Sequence, residues 1–224
     1  MTDATVDLTK DASIDQVLAD GQVFAHAAGV TARKYFRQHN KVSFKDDESP
    51  VTVIDQMIER NLKDAIKAKY PQDGIFGEES GVDGALDGNL WVIDPIDGTR
   101  SFISGNPLFG MLLSYLREGA PTAGIISMPM LDELYCGAVG HPATCNGDPI
   151  KVSDQRNIDE CTLYINEGEK LIADHPKVLA RLLVAGKTRR FGYDCYPHAL
   201  LSAGHIDAVV DYDLKPYDYL ALTA

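Results

Sequence analysis

An apolar run that ends in two acids constrains this chain more than any other feature. Residues 90–93, Leu-Trp-Val-Ile, read as a buried strand, and Asp94-Pro-Ile-Asp97 follows at once, so the strand delivers two carboxylates at its tip. Pro95 stiffens the segment between the acids, and Gly98-Thr99 supplies free backbone N–H groups where a helix can begin. A strand tip carrying two acids suits a hard divalent cation, which takes oxygen ligands. A helix start beside it suits a phosphate. Cation and phosphate held side by side point to metal-assisted phosphoryl chemistry. In isolation the same hexapeptide also reads as an acidic turn, because Asp, Pro and Gly are the usual turn residues.

At 224 residues the chain can bury a substantial core, as one large domain or two small ones. A formal net charge of -12 leaves no basic stripe for a nucleic-acid backbone, so nucleic acid is excluded as a partner. The charge suits a protein that concentrates cations, either metal ions or a positively charged substrate, and it also serves plain solubility. Cys136, Cys145, Cys161 and Cys195 form no Cys-x-x-Cys pair, which speaks against a zinc knuckle or redox motif and for reduced, packed thiols. The first twenty residues lack the basic start and apolar run of a signal peptide. No apolar run reaches the length of a membrane span. The expectation is a soluble, cytoplasmic protein without a membrane partner.

Along the chain, a loose leader over 1–12 precedes a helix from Ser13, whose hydroxyl and Gln16 have capping-box spacing. A short strand at 42–45 and a turn over 46–50 come next. A second helix is marked by Ile54, Ile58, Leu62 and Ile66 at every fourth position, with Asp55 and Glu59 off that stripe, and Pro71 ends it. Strands are predicted at 75–76, 90–93, 111–116, 123–128, 134–136 and 150–152, with Asn146-Gly147 as a hairpin turn. After 153 the pattern alternates: strand 162–165, helix 176–185, strand 189–191, helix 196–203, strand 206–210. That divides the chain into an N-terminal α+β domain over 1–152, carrying most candidate ligands, and a C-terminal α/β domain over 153–224.

Further acids stand at element ends. Gly77-Glu78-Glu79-Ser80 follows a predicted strand, Thr52 and Asp55 open a helix, Asp211 and Asp213 close a strand, and Asp218 starts another helix. Each alone is explained by capping and helix-dipole preferences. Together they resemble the inositol monophosphatase superfamily of magnesium-dependent, lithium-sensitive phosphatases. The resemblance rests on Gly77-Glu78-Glu79, on Trp91-Val-Ile-Asp-Pro-Ile-Asp-Gly-Thr99, and on Ser-Pro-Val-Thr…Asp55 and Pro-Tyr-Asp218 in the same order, from about residue 14 to the end.

That resemblance implies a layered αβαβα sandwich, two or three Mg2+ ions per site, a small phosphate monoester as substrate and a homodimer. It implies Glu78, Asp94 and the Ile96 main-chain carbonyl around one metal, and Asp94, Asp97 and Asp218 around a second. A weaker third metal would use Glu78 or waters near it. Gly98 and Thr99 would offer N–H groups to the phosphate, and Asp55 with Thr99 would activate the attacking water. Glu79 is expected to be structural. Arg100, Gly192-Tyr-Asp-Cys195 and Asp211 resemble the histidinol-phosphate phosphatases of this type, with Arg100, Asp194 and Asp211 toward the substrate. An ammonium and an imidazole need acceptors, which Asp194 and Asp211 supply; Asp194 also reads as a loop cap. Inositol 1-phosphate and 3′-phosphoadenosine 5′-phosphate remain alternative substrates. His141, His175, His198 and His205 are expected as surface or packing residues, since these metals prefer oxygen.

Ala224 stands within about two helical turns of Asp218, where the family continues with an apolar run, a Gly-rich turn and a strand. The expectation is a shortened C-terminal part, with Asp218 on a frayed helix end and an open strand edge. An inactive shortened copy acting by association is the competing reading. Retention of Asp55, Glu78, Asp94, Asp97, Thr99 and Asp218 argues against it.

Overall fold

A computed structural model describes residues 12–38, 42–45 and 50–223; the expected leader up to residue 11 and most of the turn at 46–50 lie outside these residues. Helix α1 (Ile14–Tyr35) begins where the capping spacing places it, with the Gln16 N–H donating to the Ser13 hydroxyl at 3.2 Å. Strands β1 (Val42–Phe44) and β2 (Pro50–Thr52) pair antiparallel, and α2 (Val53–Lys69) follows. Its stripe of Ile54, Ile58, Leu62 and Ile66 is at most 3% exposed. Burying four such side chains contributes roughly 1.5–3 kcal/mol each, so packing rather than intrinsic propensity holds this helix. Asp55 and Glu59, though off the stripe, are buried too.

Eight strands then form one sheet. In chain order they are β3 (Gly74–Gly77), β4 (Gly81–Asp83), β5 (Asn89–Asp97), β6 (Gly110–Arg117), β7 (Ala120–Met128), β8 (Glu133–Ala138), β9 (His141–Cys145) and β10 (Asp148–Pro149), with α3 (Thr99–Ser104) after β5. The spatial order is β10-β9-β8-β7-β6-β5-β3-β4, and only β3 and β5 run parallel. The second part supplies β11 (Thr162–Ile165), α4 (Gly168–Asp174), α5 (Pro176–Leu182), β12 (Thr188–Phe191), α6 (Tyr196–Ser202), β13 (Ala208–Val210) and α7 (Pro216–Tyr219). Its three strands are parallel in the order β12-β11-β13.

Layers follow from which faces are apolar. Phe24 of α1 and Ile58 and Leu62 of α2 pack with Trp91, Ile93 and Leu113 on one face of the large sheet. On the other face Leu112, Ile126 and Met128 meet Cys195, Ala199 and Ala221. Leu163 and Ile165 of the small sheet lie under Leu171 and Leu179 of α4 and α5. The result is the αβαβα sandwich that was expected.

Three expectations fail locally. The strand at 150–152 does not form. Asn146 and Gly147, at φ 51° and 86°, make a two-residue turn that pairs Asp148 with Cys145, and the ladder stops at Pro149. The helix at 176–185 ends at Leu182 and is preceded by α4. His175 between the two helices sits at φ -134° and ψ 54°, because a residue before proline avoids the helical region. The last strand begins at Ala208 rather than 206, and among the described residues it pairs only with β11. No described helix is long and apolar enough to cross a membrane.

Residues 220–222 return to the large sheet. A Cβ on Gly124 of β7 would lie 2.0 Å from the Ala221 carbonyl oxygen, so only glycine admits this segment. Gly124→Ala is expected to destabilise the fold by about 2 kcal/mol through overpacking. A urea titration reads this as a lower midpoint, and an unchanged midpoint contradicts the docking.

Candidate metal and phosphate site

Asp94 and Asp97 stand three residues apart, a spacing that in a regular strand sends side chains to opposite faces. The β5–β6 ladder loses register between them, across Pro95, and both acids line one cavity. Asp218 arrives from the first turn of α7, where its Oδ2 accepts the Lys215 N–H at 2.6 Å. Tyr217 beside it packs edge-on against Phe76 at 5.9 Å, so α7 is docked on the large sheet. Among the described residues Asp94, Asp97 and Asp218 each offer a carboxylate oxygen, all within 4.8 Å of one another.

Charge repulsion dominates this cluster. Asp94 is 2% exposed, and its Oδ1 has no hydrogen-bond partner. Burial, and then the charges of Glu78, Asp97 and Asp218, push its carboxyl well above the ordinary range. Burial and the Asp194 charge do the same for Asp97, although the Cys195 N–H donates to it. Asp218 is raised to about 6, chiefly by burial. An unpartnered buried oxygen among like charges is what an oxygen-seeking divalent cation relieves, so the donor set fits magnesium.

Glu78 and Glu79 stand beside this cluster, and Lys45 reaches both, with Nζ at 2.8 Å and 3.0 Å. Burial raises the Glu79 carboxyl to about 7, with the Glu78 charge adding to it. The loop is shaped by Glu59, whose carboxylate accepts the Glu79 N–H at 2.7 Å and the Ser80 N–H at 2.9 Å. Gly77 is required there because a Cβ would fall 2.4 Å from the Glu59 carboxyl carbon.

Asp55 serves two purposes with its two oxygens. Oδ2 accepts the Thr52 N–H at 2.9 Å and the Thr52 hydroxyl, closing the capping box of α2. Oδ1 accepts the Thr99 hydroxyl at 3.0 Å. Thr99 Oγ1 also lies 3.2 Å from the Ile96 carbonyl. Asp55 is 0% exposed and its carboxyl is raised by burial, whereas Thr99 lines the cavity. Gly98 precedes α3 at φ 92°, and a Cβ there would fall 2.5 Å from the Asp194 carboxyl carbon.

The opposite wall comes from the small sheet. Glu167, Asp194, Asp211 and Asp213 all line the cavity, and each follows the C-terminal end of a strand. Glu167, Asp194 and Asp213 take positive φ of 48°, 58° and 63°, a costly backbone for residues with a Cβ. Lys170 lies 3.3 Å from Glu167 and 3.3 Å from Asp213, and Lys215 lies 2.7 Å from Asp213, so two ammonium groups balance that pair. Asp194 accepts the Ser101 hydroxyl at 2.5 Å, and burial raises it to about 6. Arg100, exposed, also lines the cavity.

His198 corrects the expectation of a surface or packing histidine: it lines the cavity, with Nε2 2.9 Å from Asp211 Oδ2. Lys45, Asn166, Glu167 and Lys170 are further residues that the sequence reading missed. The available signal was positional, since ligands gather beyond the C-terminal ends of parallel strands.

The sequence profile of the inositol monophosphatase family matches residues 14–224. The chain belongs to the inositol monophosphatase family. Over 202 residues it is 40% identical to a histidinol-phosphatase of Chlorobaculum parvum, covering 88% of this chain and 77% of that protein. It is 39% identical over 215 residues to a chloroplastic bifunctional phosphatase of Arabidopsis thaliana, covering 95% of this chain. The chain spans 62% of the length of that relative. An inositol monophosphatase structure from Zymomonas mobilis matches with a TM-score of 0.80 at 33% identity, covering 95% of this chain and 82% of that one. Inositol monophosphatase family members are metal-dependent phosphatases of small phosphate monoesters.

Inositol monophosphatase-type acids of this kind carry a signature in the pH dependence of the metal-free chain. Asp194 and Asp218 rise from 3.8 to about 6, so the fold favours their protonated forms. Their stabilising contribution is complete below 3.8 and is lost as pH climbs through about 6. The lowered acids Asp20, Asp83, Asp207 and Asp213 gain their contribution around and below 3.8, outside that window. The metal-free protein should therefore melt at a lower temperature at pH 7.5 than at pH 5, and magnesium should recover the loss. Equal melting temperatures, with no response to magnesium, would contradict the cluster.

Proposed function

We propose that the chain is a Mg2+-dependent phosphate monoester hydrolase whose substrate carries a positively charged alcohol, L-histidinol phosphate being the expected one. The observation that carries this reading is the acid wall of the cavity. Among the described residues no lysine or arginine forms an ion pair with Asp194 or Asp211, which meet the more distant charge of Arg100 and the His198 ring respectively, whereas Lys170 lies on Glu167 and Asp213. Asp194 at about 6 is ionised at neutral pH and ready to accept from an ammonium or an imidazolium.

Asp94, Asp97 and Asp218, with Glu78 and the Ile96 carbonyl, would hold two or three magnesium ions. Cations held there would supply neutralisation of the phosphate charge, a more acidic water and support for the leaving oxygen. The chain's own groups do the rest. Gly98 and Thr99 offer backbone N–H groups to the phosphate. The hydroxyl of Thr99, a residue that lines the cavity, accepts a proton from the attacking water and passes its own to Asp55 Oδ1 at 3.0 Å, because Asp55 has no exposure of its own. Asp194 and Asp211 accept from the alcohol portion, and Arg100 flanks the entrance. A homodimer, implied by the family resemblance, and a cytoplasmic setting, expected from the dispersed free cysteines, are part of this reading.

The test is phosphate release with magnesium from L-histidinol phosphate, inositol 1-phosphate and 3′-phosphoadenosine 5′-phosphate. The reading expects kcat/KM at least about tenfold higher for histidinol phosphate, the order of one well-made charged contact. A preference for either other ester overturns the substrate and leaves the hydrolytic chemistry standing.

A further inference from the structure

We propose that Asn166 and His198 are positioning residues that fix the Asp211 carboxylate as a directional acceptor for the substrate's charged group, an inference that rests on the reading of the cavity above. Asn166 directly follows β11, and its N–H donates to the Val210 carbonyl at 2.8 Å, extending the ladder toward β13. Its side chain is buried, with the residue 1% exposed. The single amide Nδ2 donates to Asp211 Oδ2 at 2.7 Å and to the Asp194 main-chain carbonyl at 3.1 Å. One buried group at the end of the central strand thus ties together the two segments that carry Asp194 and Asp211.

Asn166 makes these bonds at a cost. Its Oδ1 is buried without a partner, and a Cβ on Gly192 would fall 2.6 Å from it, so glycine is needed to admit the amide. A side chain serving packing alone would be apolar, since an unpaired buried acceptor is destabilising. His198 approaches the same carboxylate from α6, with Nε2 donating to Oδ2 at 2.9 Å in the tautomer protonated there. The Tyr212 N–H donates to Oδ1 at 2.8 Å. A carboxylate has about four acceptor directions. Three are taken, so an incoming ammonium or imidazolium meets a single open direction on Asp211 instead of a freely rotating acid.

Neither side chain touches the reacting phosphate in this account, so their loss acts on selectivity. The experiment compares kcat/KM for L-histidinol phosphate with that for propyl phosphate, which has neither ammonium nor imidazole, in wild type, Asn166→Ala and His198→Ala. Melting curves with magnesium check folding. The wild type should favour histidinol phosphate, and each variant should lower that ratio by about tenfold, chiefly through a higher KM for histidinol phosphate. A merely structural role would lower both esters alike and leave the ratio intact. If Asn166→Ala does not fold, His198→Ala decides alone. A wild type that discriminates, with foldable variants keeping the ratio within about twofold, overturns the positioning role by itself. A wild type that does not discriminate overturns the cavity reading and this inference together.

Discussion

Asp94→Asn is expected to lower kcat by about a thousandfold or more. Cation stabilisation of transferring phosphate is worth several kcal/mol, and each ~1.4 kcal/mol is a factor of ten. Asp94 is the member of the cluster that faces Glu78, Asp97 and Asp218 together, and it is the most deeply buried of the three acids that converge there. A second effect has the opposite sign. Removing one charge relieves the repulsion, so the metal-free variant should melt higher than the metal-free wild type. It should also lose most of its stabilisation by magnesium. Activity and melting curves on one preparation separate these effects. A variant retaining a tenth of the wild-type rate, or still fully stabilised by magnesium, would rule out this role for Asp94.

Thr99→Val is expected to lower kcat by about a hundredfold to a thousandfold, the range for loss of a positioned proton acceptor. Valine keeps the volume and removes the hydroxyl through which Asp55, wholly buried, reaches the cavity. Thr99→Ser restores that hydroxyl and should recover most of the rate. Magnesium stabilisation should survive in both variants, because Thr99 supplies no carboxylate to the cluster. That contrast is the discriminating result. If Val and Ser variants are equally impaired, the hydroxyl does not carry the proton. If magnesium stabilisation disappears with Val, the defect lies in the cation site.

The strand tip was legible because it is local: four apolar residues followed at once by Asp-Pro-Ile-Asp need no long-range information. The same holds for α1 and α2, where capping residues and apolar spacing lie within one segment. The convergence of Asp218 on Asp94 and Asp97 is different, since more than a hundred residues separate them and only motif order placed them together. Asp55 had two readings, cap and functional acid, and the structure gives each its own oxygen. Asn166, His198 and Lys45 carried no motif. Their positions depend on how the parallel strands and the β1 segment meet the large sheet, which no periodicity encodes. Residues 150–152 misled because Ile-Lys-Val alternates as a strand does, while the turn at Asn146-Gly147 had already fixed which residues pair. α4 was missed because its seven residues are too short for a clear apolar period.

The most direct test of a cation-organised phosphatase site at the tip of β5 is a magnesium titration of the metal-free chain. Phosphate release from L-histidinol phosphate is followed at each concentration, with Asp94→Asn alongside. The account predicts no release without the cation, a saturable rise as it is added, and a flat line for the variant. Release that persists without divalent cation, or that rises equally in Asp94→Asn, would contradict it.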